Sequence, residues 1–204
     1  MLETAPVHPG LAALSLSWSD GANHKRVMSQ LDHLSTVIVI ARDRSDGQVT
    51  VNKSGQPIMH YTLNSTDRAI LARGISEALR VQTAAGAVEI SGPQSARHPL
   101  KFDPQLTSEA RQAALADYVN ATPDHGWDKN AFALFSAHQM SSCRMGGSPA
   151  IGALDPTGEA FEVQSLFVAD ASALPTAIGR NPMITIMGVA YMTSQHIKSR
   201  LNKG

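Results

Sequence analysis

Between residues 37 and 63, three short runs of β-branched and aromatic residues follow one another with only turn chemistry between them. A chain written this way is drawn towards antiparallel pairing. The runs are Val37-Ile-Val-Ile40, Gln48-Val-Thr-Val51 and Ile58-Met-His-Tyr-Thr-Leu63, separated by Ser45-Asp-Gly47 and Lys53-Ser-Gly-Gln-Pro57. They predict a three-stranded meander. A helix follows, capped by Ser65 or Thr66, with Leu71, Ile75, Ala78 and Leu79 on one face and a left-handed stop at Ala85-Gly86. Val88-Glu-Ile90 reads as a further strand, and Ser108 to Val119 as a second helix, with Thr107 or Ser108 at its N-cap and Glu109 at its positive end. The last element, Pro182 to about Leu201, is a helix with proline at its first position and Met183, Met187, Ala190, Ser194, Ile197 and Leu201 along one face. The expected fold class is α+β: a mainly antiparallel sheet with helices on one face, plus a C-terminal strand and helix, Leu166 to Ala169 and Pro182 onward.

The remaining stretches are less regular. Pro6 to Trp18 carries Leu11, Leu14, Leu16 and Trp18 and is expected to fill a gap rather than cover a pocket. Residues 91 to 130 hold Pro93, Pro99, Pro104 and Pro123 and are expected to form surface loops around the second helix. Phe132-Ala-Leu-Phe135 leads into His138, and Phe161 to Ala169 leads into Asp170; both read as strands that deliver a polar residue to their ends.

Composition limits the chemistry. The chain has 204 residues, 43% hydrophobic and 17% charged, enough to bury a core. Seventeen basic residues balance seventeen acidic ones without a basic cluster, so nucleic acid is not an expected partner. No stretch approaches the ~20 apolar residues of a transmembrane span, and Met1 to Asp20 lacks the basic and apolar regions of an export signal. A cytoplasmic or peripheral-membrane location is compatible with this. The single cysteine, Cys143, excludes an intramolecular disulfide.

Two polar residues stand at element ends near the C-terminus, His138 and Asn181. A helix leaves its first N–H groups unpaired and carries roughly half a positive charge there, so an electron-rich oxygen facing Asn181-Pro182-Met183 is stabilised by ~0.3–2 kcal/mol. Asn181 is equally suited to cap its own helix. His138, one of eight histidines, carries no functional signal by spacing alone.

The motifs around these residues are specific. His138-Gln-Met-Ser-Ser-Cys-Arg-Met-Gly146, Gly152-Ala-Leu-Asp155, Leu166-Phe-Val-Ala-Asp-Ala-Ser-Ala-Leu-Pro175 and Asn181-Pro-Met-Ile-Thr-Ile186 resemble, in order, the C-terminal part of glucose–methanol–choline (GMC) oxidoreductases. Within that family the chain is most similar to the long-chain alcohol oxidase branch, which the stretches Glu3 to Gly10 and Ile40 to Val49 also resemble. The resemblance implies an FAD-dependent oxidoreductase acting on an alcohol, with His138 as catalytic base and Asn181 as its partner. It also implies that Asp170 and Ala171 lie against the FAD ribityl and pyrophosphate, with Asn181 and Pro182 under the pyrimidine end of the flavin. An imidazole titrates close to neutral pH and can take the hydroxyl proton as hydride leaves the carbinol carbon.

One departure from the family is large. None of the fifteen glycines forms the G-x-G-x-x-G loop that binds the ADP half of FAD. Residues 1–135 are therefore expected to be a substrate-side cap region and 136–204 a catalytic, FAD-contacting segment whose C-terminal strand and helix would complete an FAD-binding domain and here leave apolar surface exposed, with the N-terminal dinucleotide-binding domain absent and supplied, if at all, by another chain. A truncated, non-catalytic domain is the alternative. Cys143 beside Arg144 could also be an activated thiolate, whereas a zinc site lacks clustered ligands. Met183, Met187 and Met192 could line an alkyl channel, but plain core is the expected use; Arg180 is expected to be solvated.

Overall fold

The structure, a computed structural model, describes residues 1–4, 8–95, 97–124, 127–128 and 131–202. It is a mixed α+β chain that divides into two compact units, Met1–Ala41 with Leu63–Phe135, and Arg42–Thr62 with Ser136–Gly204. Its named elements are β1 (Leu2–Glu3), α1 (Pro9–Ser15), α2 (Gly21–Met28), β2 (Ile38–Val39), β3 (Gly47–Val51), β4 (Pro57–Tyr61), α3 (Ser65–Ala84), β5 (Glu89–Ile90), β6 (Leu100–Lys101), α4 (Ser108–Asn120) and α5 (Met183–Leu201).

The first unit is built on α3. Asn64 caps it by accepting the Asp67 N–H at 2.8 Å, one residue ahead of the capping residues expected from sequence. Gly86, at φ +96°, ends it in the left-handed conformation that a side chain disfavours. The predicted face is the buried one: Leu71, Ile75, Ala78 and Leu79 all point inward, with Ala72 beside them. Gly74 sits where a Cβ would stand 2.3 Å from Val39 Cγ1, so the missing side chain lets β2 lie directly on the helix. Thr107 caps α4 through the Ala110 N–H, and Leu115 and Val119 close the core with Ile75, Leu79, Ile90 and Phe102. Arg26 grips the Glu89 carboxylate through both guanidinium nitrogens, at 2.8 and 3.2 Å, tying α2 to β5.

The sheet differs from expectation. Instead of one sheet with helices on one face, the described residues form three separate two-stranded antiparallel ladders, β1–β2, β3–β4 and β5–β6. The predicted meander is broken at its first strand: Ile38 and Val39 pair with Glu3 and Leu2, while β3 and β4 form a hairpin in the second unit. β-propensity reports a fit to a pleated surface and carries no information about which strand supplies it. The hairpin register opposes Val49 to Met59 and Val51 to Pro57. Gly47, Val49, Val51, Pro57, Met59 and Tyr61 therefore share one apolar face, which is exposed.

Two other predicted strands are absent. Of Phe132 to Phe135 only Phe132 pairs, in a single bridge to Gln94. The run from Phe161 to Ala169 folds back on itself, with Ala160 N–H bonded to Leu166 O and Val168 N–H to Gly158 O, and Ser165 at φ +65° interrupts the extended backbone. Hydrophobicity alone cannot tell a short strand from a folded-back loop when the hydrogen bonds close locally. The expected start of the N-terminal apolar element, at Pro6, lies outside the described residues. Leu14, Leu16, Ser17 and Trp18 line a shallow open cleft with Ser95, Phe132 and Ala133.

The buried face of α3 sets the stability of this unit. Leu79→Ala, at a site 2% exposed, is expected to lower unfolding free energy by ~2–5 kcal/mol, whereas Leu14→Ala, at 76% exposed, changes it by less than ~0.5 kcal/mol. Urea denaturation followed by circular dichroism compares the two.

Candidate functional site

The second unit has little regular structure apart from the hairpin and α5, and its loops are held by backbone hydrogen bonds. Cys143 N–H bonds Ser172 O at 3.0 Å and Met145 N–H bonds Ala173 O at 2.9 Å, so the stretch after His138 runs alongside the turn after Asp170. These bonds join the two sequence motifs. Leu154, almost fully buried, bridges Met145 on one side and Ala160 on the other. Gly146 and Gly152 meet without side chains, since a Cβ on Gly152 would stand 2.6 Å from Gly146 N.

His138 is half-buried at the start of this arrangement. Three residues on, Ser141 adopts φ +73°, a left-handed conformation that costs a non-glycine residue ~1–3 kcal/mol and recurs where a backbone is held for a purpose. Asp170 is exposed, and its Oδ1 accepts both the N–H and the hydroxyl of Ser172, capping the short 3₁₀ turn Ala171–Ala173. Its first-order job is thus to shape the turn that receives Cys143 and Met145.

From that turn the chain reaches Asn181 through a loop pinned at Gly179. This residue has φ +67°, and a Cβ there would stand 2.6 Å from Arg42 Cβ. The foot of the hairpin thereby props the loop two residues before Asn181. Asn181 is exposed and Pro182 buried, and α5 begins at Met183. Pro182 occupies the N-cap position rather than the first helical one, and it contributes no side-chain cap to the helix start. That leaves a helix N-terminus carrying roughly half a positive charge behind Asn181. An electron-rich heterocyclic edge, such as the pyrimidine end of a flavin, fits it chemically.

The seat of α5 was not foreseen. Its packed line is Ile186, Val189, Ala190, Met192, Thr193 and Ile197; of the expected face Ala190 and Ile197 are half-buried, while Met183, Met187, Ser194 and Leu201 are exposed, so core describes Met192 in part but not Met183 or Met187. The rotation is set by Gly158, at φ +89°, where a Cβ would stand 2.6 Å from Thr193 Oγ1. Thr193 is fully buried, and its hydroxyl has no hydrogen-bond partner among the described residues. Around Gly158 the Asp155 carboxylate accepts the Thr157 hydroxyl and the N–H groups of Thr157 and Glu159. Partial desolvation opposes its ionisation, but these donors prevail and hold the carboxyl below its ordinary value. The Ser165 N–H, and then Arg200, do the same for Glu159, whose carboxylate pairs with Arg200 near the end of α5. Asp155-Pro-Thr-Gly-Glu159 is turn chemistry visible in sequence, yet no local pattern shows that it receives Thr193. Cys143 is half-buried and its neighbour Arg144 donates to Ile151 O at 2.8 Å.

Comparison with known proteins fits these motifs. The family model described as GMC oxidoreductase matches residues 43–190, which include His138, Asp170, Ala171, Asn181 and Pro182. The chain belongs to the GMC oxidoreductase family. Among its relatives, long-chain-alcohol oxidase FAO3 of Arabidopsis thaliana is 34% identical over the whole of this chain and 27% of its own length. Long-chain-alcohol oxidase FAO1 of the same plant is 36% identical over 99% of this chain and 26% of its length, and FAO4B is 37% identical over 98% and 26%. This GMC chain spans about a quarter of the length of those relatives. Among the described residues no helix is long and apolar enough to cross a membrane, and no three His, Cys, Asp or Glu side chains group as metal ligands.

Two outcomes follow for the seat of α5. Gly158→Ala is expected to destabilise the chain by ~1–3 kcal/mol, because it combines a positive φ with a clash on Thr193; thermal unfolding measures it. Because the folded Asp155 and Glu159 carboxyls are held below their ordinary values, their contribution is complete above the unfolded values of about 4. It is lost as pH falls through the lower folded ones. Urea midpoints measured from about pH 6 to about pH 3 should fall less steeply in Glu159→Gln than in the parent.

Proposed function

We propose that this chain forms the catalytic and substrate-facing part of an FAD-dependent alcohol oxidoreductase acting on a CH–OH donor, with a long-chain alcohol as substrate. The observation that carries this reading is the backbone pairing of the His138 segment with the Asp170 turn, ahead of a helix start at Asn181-Pro182. FAD, when bound, supplies the hydride acceptor. His138 takes the hydroxyl proton of the alcohol, a step worth ~10²–10⁴-fold when the base is positioned. The carboxamide of Asn181 donates a hydrogen bond to the substrate oxygen and holds the carbinol carbon in line. Asp170 and Ala171 would face the ribityl and pyrophosphate, and Pro182 with the first turn of α5 would lie under the pyrimidine edge. The protein's contribution is placement and field around chemistry that belongs to the cofactor.

The names of the relatives support a long-chain alcohol, and their length supports a division of labour. Since the chain corresponds to about a quarter of each relative, we infer that alone it neither holds FAD tightly nor oxidises alcohols. A polypeptide equivalent to the remaining length completes the site. The chain purified by itself should be colourless, and flavin absorbance co-purifying with it would contradict this. Once it is complemented, His138→Ala should lower kcat by ~10²–10⁴-fold at unchanged flavin content, and Asn181→Ala should lower kcat/KM by a smaller factor. Unaltered turnover in His138→Ala would remove the imidazole from the mechanism and leave a folded, non-catalytic domain.

A further inference from the structure

His138 lies where the chain passes from the first unit to the second, and the backbone around it has few anchors. Upstream, the Ala133 N–H bonds Pro93 O; downstream, the Cys143 N–H bonds Ser172 O. Among the described residues, no backbone-to-backbone hydrogen bond is made by residues 134–142, which lie between those two points. A base carried on such a stretch samples many positions, and a misplacement of about 1 Å can cost ~10²-fold in rate.

One side chain supplies an anchor. The Gln139 carboxamide turns back along the chain and its Nε2 donates to Ser136 O at 2.7 Å, closing a loop that contains Ala137 and His138. A carbonyl oxygen only accepts, so the amide must present its NH2 group there. Gln139 and Ser136 are exposed, whereas His138, between them in the chain, is half-buried. The glutamine therefore adds nothing to a core; its bond ties together the backbone on the two sides of the imidazole. On the C-terminal side, Ser141 at φ +73° sets the chain ahead of the Cys143 bond.

We infer that Gln139 is a positioning residue: by tethering Ser136 O it holds the backbone that carries His138 at the setting from which the imidazole takes the alcohol proton. The inference rests on the proposed role of His138 as base. Gln139 itself has no part in the proton transfer, so losing its bond displaces the base without removing it. Turnover then falls, and substrate affinity does not.

The test has two arms. In the full chain alone, labelled with nitrogen-15, the heteronuclear NOE of Ala137, His138 and Gln139 should drop in Gln139→Met, which keeps the length of the side chain and removes the donor. It should return to the parent's level in Gln139→Lys, whose ammonium donates to the same carbonyl. Both variants should melt with the parent, because the side chain is exposed. In the assembled enzyme, completed by the part of FAO3 outside the matched region and given dodecanol, Gln139→Met should lower kcat by ~5–50-fold with KM within about twofold. Gln139→Lys should recover most of that loss, and the acid limb of the kcat profile should stay in place, since His138 is still the base. An unchanged NOE in Gln139→Met overturns the inference, as does a loss that Gln139→Lys fails to restore. If His138→Ala abolishes turnover while Gln139→Met turns over like the parent, the inference falls and the proposed function stands. If His138→Ala turns over normally, the proposed function falls and this inference falls with it.

Discussion

The seating of α5 depends on the contact between Gly158 and Thr193, where a glycine at φ +89° admits a buried threonine too close for any Cβ between them. That contact fixes the rotation of a 19-residue helix about its axis, and with it which residues the helix hides and which it presents. The rotation buries Ile186, Val189 and Ile197 at least in part and turns Met183, Ile184, Met187 and Tyr191 outward. Farther along, Glu159 holds Arg200, so the helix is gripped near both its middle and its end by one turn of chain.

The consequences reach the other end of the helix. A rigid helix seated at Thr193 determines where its N-terminus lies, and the Asn181-Pro182 step is held additionally by the Gly179–Arg42 approach. The His138 segment is tied to the preceding turn by the two backbone bonds of Cys143 and Met145. A site assembled this way carries its polar groups on loops, but each loop is fixed by close backbone approaches at glycines and not by side-chain bulk. Little apolar core is needed, and few of the unit's residues are fully buried.

Legibility in the sequence varied with the range of the interaction. The face of α3, the caps of α3 and α4 to within a residue, and the glycine stop at Gly86 were readable because each follows from bonds within a few residues. The strand partners were not. Ile38-Val39 could equally have joined the hairpin, and its pairing with Leu2-Glu3 depends on Gly74 clearing space for Val39. Phe161 to Ala169 looked like a strand and is a folded-back loop, because Ser165 and the Asp155 turn supply local hydrogen bonds that composition does not reveal.

The sequence by itself determined the family motifs, the helices α3, α4 and α5 and the polar residues His138 and Asn181 within those motifs, since these are written in contiguous residue order. Tertiary structure alone decided how Cys143 and Met145 meet Ser172 and Ala173, which way α5 faces, and that Met183 and Met187 point outward. Those outcomes turn on contacts between residues far apart in the chain, where a missing Cβ at Gly158 or Gly179 matters only because of what arrives opposite it.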